Sequence, residues 1–89
     1  KGTAEDQIEA SKKTIRQLKE IIEQNDVVIT HGNGPQVGNL LIQQNATNEA
    51  PPMPLHVLVA MTQGQIGFFV EYAVSKETNK RSTTIITHC

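Results

Sequence analysis

The spacing of apolar side chains along the sequence predicts three helices and two short β-branched runs. Near the start, apolar residues recur at a helical period while lysine, arginine and glutamate fall mostly on other faces, which predicts an amphipathic helix over residues 4–23. Thr3 precedes this segment and Asp6 follows three residues later, an arrangement typical of a capped helix start. The apolar stripe consists of Ile8, Ile15, Leu18, Ile21 and Ile22.

Two runs rich in β-branched residues predict strands. The first is VVIT at residues 27–30 and the second is TTIIT at residues 83–87. Because a helical crossover joins them, we expect the two strands to lie parallel. The sequence therefore predicts the α/β fold class, with parallel strands and flanking helices.

A glycine-containing loop, HGNGP at residues 31–35, connects the first predicted strand to a helix predicted over residues 36–44. Gly32 and Gly34 can adopt positive φ or let a ligand approach the backbone, because neither carries a Cβ. Pro35 suits the first turn of a helix. A strand that leads through such a loop into a helix leaves unpaired N–H groups at one place, which is an anion-binding geometry. For the loop considered alone, a plain tight turn is an equally good interpretation.

A long helix with a wide apolar face is predicted over about residues 54–75. It contains Gly64 and Gly67, and a glycine inside a helix costs about 1 kcal/mol relative to alanine. A helix that keeps both is expected to have another backbone close to it, either within the same domain or in a second copy across a two-fold axis. The apolar face comprises Leu55, Leu58, Val59, Thr62, Ile66, Phe69, Val70 and Ala73.

Length and composition limit the classes of function. The 89 residues suffice for one small domain or part of a larger one, and we treat residues 1–89 as a single partial domain. The net charge of −1 offers no basic excess for nucleic acid or an anionic membrane surface, and we expect no apolar run long enough to span a membrane. The one cysteine, Cys89, suits a reducing compartment. The chain begins at Lys1 rather than methionine, which suggests a piece of a longer protein.

Charged side chains are nearly absent around the glycine loop. Between Val27 and Val70 the only Asp, Glu, Lys or Arg is Glu49. The loop can bind an anion through backbone N–H groups and the amides of Asn33 and Gln36, but it cannot neutralise a transferring phosphoryl group. The spacing of the three histidines and one cysteine is not a metal-ligand pattern, and no serine has an adjacent base. No catalytic residue and no metal ligand is therefore assigned.

Two sequence blocks resemble a known family. THGNGPQVGNLLIQQ at residues 30–44 and MPLHVLVAMTQGQIGFF at residues 53–69 closely resemble the carbamate kinases, which belong to the amino acid kinase family. The blocks occur in the order and at about the separation expected. The helix before them and the β-branched run after them also fit, so the resemblance covers most of the chain.

The resemblance implies a partial three-layer αβα sandwich and an enzyme that transfers a phosphoryl group between ATP and carbamate. It implies ATP or ADP with Mg²⁺ as cofactor, carbamate or carbamoyl phosphate as substrate, a cytoplasmic location and a role in arginine metabolism. By this resemblance Gly32, Asn33 and Gly34 contact substrate or phosphate, and the helix over residues 54–75 lies at a homodimer interface.

Departures from the family pattern point to an N-terminal fragment. The family begins with a strand and a GGNA segment, which this sequence lacks, and its catalytic lysines and nucleotide-binding half would follow Cys89. Where the family usually has Thr-Gln, Thr87 is followed by His88. We therefore expect this chain to be inactive alone. The alternatives are another acid kinase of the same superfamily, with a carboxylate or phosphonate acceptor, and a non-catalytic oligomerisation or regulatory half-domain.

Overall fold

The computed structural model describes residues 3–88, and this part of the chain forms three helices joined by irregular segments. Helix α1 spans Ala4–Gln24, α2 spans Gly34–Gln44 and α3 spans Leu55–Glu77. Both α1 and α2 pack against α3, which therefore lies at the centre of the structure. All three helices were predicted from the sequence, with ends within about two residues of those observed.

The start of α1 confirms the predicted cap. The side-chain oxygen of Thr3 accepts a hydrogen bond from the backbone N–H of Asp6, at 3.1 Å. This bond satisfies one of the N–H groups that the first turn of a helix leaves unpaired. Glu5 and Asp6 in the same turn also place negative charge at the positive end of the helix dipole.

The main buried cluster lies between α1 and α3. Ile15 and Ile22 from α1 meet Ala73 and Val74 from α3, and Val70 packs against them. Further along α3, the side chains of Leu58, Thr62 and Phe69 are also buried. Of the apolar face predicted for α3, Leu55 is an exception, because it is 57% exposed at the first turn of the helix.

Helix α3 is, by length and composition, capable of crossing a membrane, contrary to the expectation that no apolar run would be long enough. This property is weak support for a membrane span, because core helices of soluble proteins share it. Here the apolar character of α3 is partly explained by its contact with both other helices.

The predicted α/β fold is wrong for the part of the chain that the structure describes. Residues 3–88 contain no strand, so the parallel pairing and the partial αβα sandwich are absent there. β-branched residues favour a strand when they pack on a half-buried pleated surface, but Val28 is 89% exposed and Ile85 is 80% exposed. Two isolated strands are also marginal without a third strand or a covered apolar face.

Residues 83–87 bond to helix α3 instead of to a neighbouring strand. The side chain of Gln63 donates from Nε2 to the carbonyl oxygen of Thr87 at 3.0 Å, and its Oε1 accepts from the Thr87 N–H at 2.7 Å. The Thr84 hydroxyl donates to the carboxylate of Glu71. At Thr87 a side-chain amide thus forms the backbone hydrogen bonds that a paired strand would have formed.

One of the two glycines inside α3 is explained by a close contact. A Cβ added at Gly67 would lie 2.3 Å from Cγ2 of Thr84, whereas one added at Gly64 would meet nothing within 4 Å. The close approach at Gly67 is therefore to residues 83–87 of the same chain. It involves a side chain rather than the second backbone that we expected.

A bidentate ion pair joins α1 to the last turn of α3, and it makes stability depend on pH. Arg16 donates from Nε and Nη2 to the two carboxylate oxygens of Glu77, each at 3.0 Å. The hydrogen bonds from Arg16 hold the pKa of Glu77 below its ordinary value of 4.5. The pKa of Glu23 is also lowered. The larger cause is the hydrogen bond that Lys19 donates to its carboxylate, and the next is the hydrogen bond from the backbone N–H of Asn79.

Because these two folded-state pKa values lie below the unfolded ones, the unfolded chain binds more protons in this range. Their contribution to stability is therefore present above about pH 4.5 and is lost as the pH falls through the lowered values. We expect the urea midpoint of the native chain to fall on acidification below that pH, and that of Glu23→Gln/Glu77→Gln to fall less. Glu49→Gln, in the loop after α2, is the matched control and should behave like the native chain. An equal acid response in all three proteins would contradict the prediction.

Candidate functional site

The glycine loop leads directly into α2, as predicted, although the helix begins two residues earlier, at Gly34. Pro35 lies in the first turn, where its missing N–H costs no hydrogen bond. Asn33 is the N-cap residue, and its carbonyl oxygen accepts from the N–H of Val37 at 2.9 Å. The side chain of Asn33 makes no capping bond to this turn.

Neither loop glycine is explained by an unusual backbone conformation. No residue in the described range 3–88 has a positive φ, so that interpretation of Gly32 and Gly34 is wrong. A Cβ added at either position would meet nothing within 4 Å. The missing side chains therefore leave open space beside the start of α2, and the other interpretation, the close approach of a ligand to the backbone, stays a prediction.

Two first-turn donors of α2 are unpaired in the described part of the chain. The N–H groups of Gly34 and Gln36 donate to no acceptor there, and no side chain caps the helix. Donors of this kind point out of the helix N-terminus, where the helix dipole is positive. Neighbouring groups of the described chain thus leave these two backbone donors open.

A hydrogen bond to helix α3 holds the side chain of Asn33. Its Nδ2 donates to Oγ1 of Thr62 at 2.9 Å, and the Thr62 hydroxyl donates to the carbonyl oxygen of Val59 at 2.9 Å. Thr62 is fully buried. In the sequence it belongs to the apolar face of α3, and no role was predicted for it. The sequence signal that could have revealed its role is a hydroxyl-bearing residue within that apolar face.

A groove of about 260 Å³ runs between the glycine loop, α3 and the last described residues. Asn33 and His31 line it, but Gly32 and Gly34 do not. Gln63 and Thr87 form its other side, a contribution that sequence reasoning missed because it depends on the fold. No lysine, arginine or carboxylate lines the groove. The complete lining is Ile29, Thr30, His31, Asn33, Val59, Gln63, Ile85 and Thr87.

Gln36 belongs to a different environment from Asn33. Its Nε2 lies 3.3 Å from Oε1 of Gln7 on α1, and Nε2 of Gln65 on α3 lies 3.4 Å from the same oxygen. The three amides lie along a second groove of about 280 Å³. The side chain of Gln36, predicted to assist anion binding, is thus engaged with α1, while its backbone N–H stays available at the loop.

The side chains that line this groove are amides, hydroxyls, one imidazole and apolar groups. His31 is the one titratable side chain of the groove, and its Nδ1 lies 3.2 Å from the carbonyl oxygen of Gly32. Within residues 3–88, no group of three or more His, Cys, Asp or Glu residues could hold a metal ion. The groove therefore lacks the carboxylates that would hold Mg²⁺ beside a phosphate.

Comparison with characterised proteins gives several close matches. The chain is 48% identical to a carbamate kinase of Thermococcus kodakarensis, over 91% of this chain and 27% of that protein. It is 46% identical to a carbamate kinase of Lentilactobacillus hilgardii, over 97% of this chain and 30% of that protein. It is 45% identical to one of Pyrococcus furiosus, over 98% of this chain and 31% of that protein. No family model matches the sequence.

The chain spans less than a third of the length of the curated relatives it matches. The matched region covers nearly all of this chain, so it includes both sequence blocks that carry the resemblance. The chain therefore belongs to the carbamate kinases and corresponds to a fragment of their length.

Proposed function

We propose that this chain forms the N-terminal, phosphoryl-acceptor part of a carbamate kinase, and that residues 32–34 bind the oxygens of carbamate or carbamoyl phosphate. The observation that carries the proposal is the pair of unpaired N–H groups on Gly34 and Gln36, beside a surface left open by Gly32 and Gly34. Backbone donors at a helix start favour a small anion without needing a charged side chain.

In the complete enzyme the reaction is the reversible transfer of a phosphoryl group from ATP to carbamate, giving ADP and carbamoyl phosphate. This chain contributes binding and orientation of the acceptor. Charge neutralisation of the phosphoryl group has to come from elsewhere, because no cation or carboxylate lines the groove. ATP or ADP with Mg²⁺ is expected of the whole enzyme, but the residues described here do not fit the metal. We accordingly propose that the chain alone is inactive.

We further propose that the enzyme is cytoplasmic, acts in arginine metabolism and forms a homodimer through α3. The exposed side chains of Met61 and Phe68 on that helix support the dimer, since Met61 is 45% and Phe68 is 59% exposed. Exposed apolar residues on one helix are also what a non-catalytic oligomerisation module would present. Anion binding at the loop distinguishes the enzyme part from such a module.

The loop can be tested by adding a charge where the structure leaves room. We expect Gly32→Glu to weaken binding of inorganic phosphate and carbamoyl phosphate at least tenfold, because its carboxylate competes for the same N–H groups. Gly32→Gln has the same shape without the charge, and it should weaken binding less than threefold. Binding is followed by ¹⁵N NMR titration, with the Gly34 and Gln36 amide signals as reporters.

Gly38→Glu supplies the charge control, because it adds the same carboxylate six residues further along the chain, within α2, at a position where a Cβ also meets nothing within 4 Å. It should leave binding nearly unchanged. The same samples should form no ATP from ADP and carbamoyl phosphate. The proposal is overturned if neither phosphate shifts the loop amides, or if all three variants weaken binding equally.

A further inference from the structure

The buried hydroxyl of Thr62 has a defined direction of hydrogen bonding. It is 0% exposed, and its Oγ1 lies 2.9 Å from the carbonyl oxygen of Val59. A carbonyl can only accept, so the single hydroxyl proton is used there. Towards Asn33, also 2.9 Å away, the Thr62 oxygen can therefore act only as an acceptor.

This direction determines which end of the Asn33 carboxamide meets helix α3. The NH₂ end must face Thr62, because the opposite orientation would bring two acceptors together over a buried contact. The Oδ1 end is consequently directed away from Thr62. Asn33 lines the groove, and within residues 3–88 its Oδ1 accepts no hydrogen bond. Asn33 thus has a side-chain oxygen without a protein partner among the described residues, in a side chain that belongs to the groove lining.

We propose that Thr62 is a positioning residue that holds Asn33 Oδ1 ready to accept an N–H bond from the ligand. The inference rests on the proposed function and deepens it by naming the chemical group that is recognised. The amino group of carbamate or carbamoyl phosphate can donate to Oδ1, whereas the methyl group of an acetyl compound cannot. An acceptor left unpaired against a methyl group penalises the wrong ligand. The loop N–H groups bind the phosphoryl end, and Asn33 selects the amino end.

The proposal predicts a selective loss of discrimination in Thr62→Val. Valine has nearly the shape of threonine but no hydroxyl, so the carboxamide of Asn33 is free to rotate. Carbamoyl phosphate and acetyl phosphate carry the same phosphoryl group, but one has an amino group where the other has a methyl group. The ratio of their Kd values therefore measures the preference for the amino group. We expect the native chain to prefer carbamoyl phosphate by about tenfold, which is about 1.4 kcal/mol. In Thr62→Val this preference should fall to less than twofold, with acetyl phosphate binding little changed.

Three further variants separate the effect of the hydroxyl from changes in packing or folding. Thr62→Ser loses a methyl group but retains the hydroxyl, so it should retain the preference. If the packing of the methyl group mattered instead of the hydroxyl, Thr62→Ser would lose the preference as Thr62→Val does. Asn33→Ala removes Oδ1 without altering the buried position, and it should abolish the preference even if Thr62→Val fails to fold. Thr83→Val makes the same chemical change at an exposed position and should match the native chain.

The outcomes separate this inference from the proposed function. If neither phosphate binds the native chain, both fail together. If both bind but the native chain does not prefer carbamoyl phosphate, or Asn33→Ala keeps the preference, only the role of Asn33 and Thr62 is overturned. The side-chain NH₂ signal of Asn33 gives an independent reading, because loss of its bond to Thr62 should move that signal in Thr62→Val and not in Thr62→Ser.

Discussion

Leu58→Ala is expected to lower the free energy of unfolding by about 2–5 kcal/mol, the range found when a buried leucine is truncated to alanine. Leu58 is 0% exposed and lies on α3, the helix that both other helices contact. Removing three carbon atoms there loses apolar burial and leaves a cavity. The effect is measured by urea unfolding followed by circular dichroism of the helices.

Leu55→Ala is the matched control for this prediction. It makes the same substitution in the same helix, one turn earlier, where the side chain is 57% exposed. We expect a loss below about 1 kcal/mol, since less apolar surface leaves contact with protein. Equal losses for the two variants would mean that the packing of α3 described here is wrong. A Leu58→Ala chain that is unfolded without urea would agree with the prediction.

Gly67→Ala is expected to destabilise the chain by about 1–3 kcal/mol, the usual cost of overpacking. The added Cβ would lie 2.3 Å from Cγ2, 2.6 Å from Oγ1 and 2.9 Å from Cβ of Thr84, so rotating the threonine does not remove the clash. The segment around Thr84 must move and lose its bond to Glu71. This loss exceeds the roughly 1 kcal/mol that alanine gains over glycine inside a helix.

Gly64→Ala, one turn earlier in α3, should change stability in the opposite direction. Nothing lies within 4 Å of an added Cβ there, so we expect a gain of up to about 1 kcal/mol from helix propensity alone. Gly67→Ala/Thr84→Ala should recover part of the loss, because two of the three clashing atoms are removed. If Gly67→Ala is as stable as Gly64→Ala, residues 83–87 do not lie against α3 as described.

Helix positions were predictable because the interactions that set them are local. The apolar period over residues 4–23 and the Thr3 cap involve groups within one or two turns, and the structure has α1 at Ala4–Gln24 with that cap formed. Pro35 and the glycine loop also marked the start of α2 to within two residues. The family was accessible for a related reason, since both blocks that carry the resemblance are continuous in the sequence.

The candidate site was predictable only in part. The loop and the open backbone at Gly32 and Gly34 followed from the sequence, although a positive φ did not occur. The attachment of Asn33 to Thr62 joins residues 29 positions apart and could not be inferred from local spacing. Gln63 was missed as a groove residue for the same reason, because its role depends on where residues 83–87 lie.

The three helices, the α1 cap, the glycine loop and the family could all be inferred from the chain alone, because each depends on neighbouring residues or continuous motifs. Three features depended on how the chain folds: whether the β-branched runs form strands, which of Leu55 and Leu58 is buried, and what faces Gly67. The physical reason is that strand pairing, burial and close approach are set by residues distant in sequence. Val28 and Ile85 show this most clearly: both have strong strand propensity, but both are largely exposed to solvent and neither belongs to a sheet.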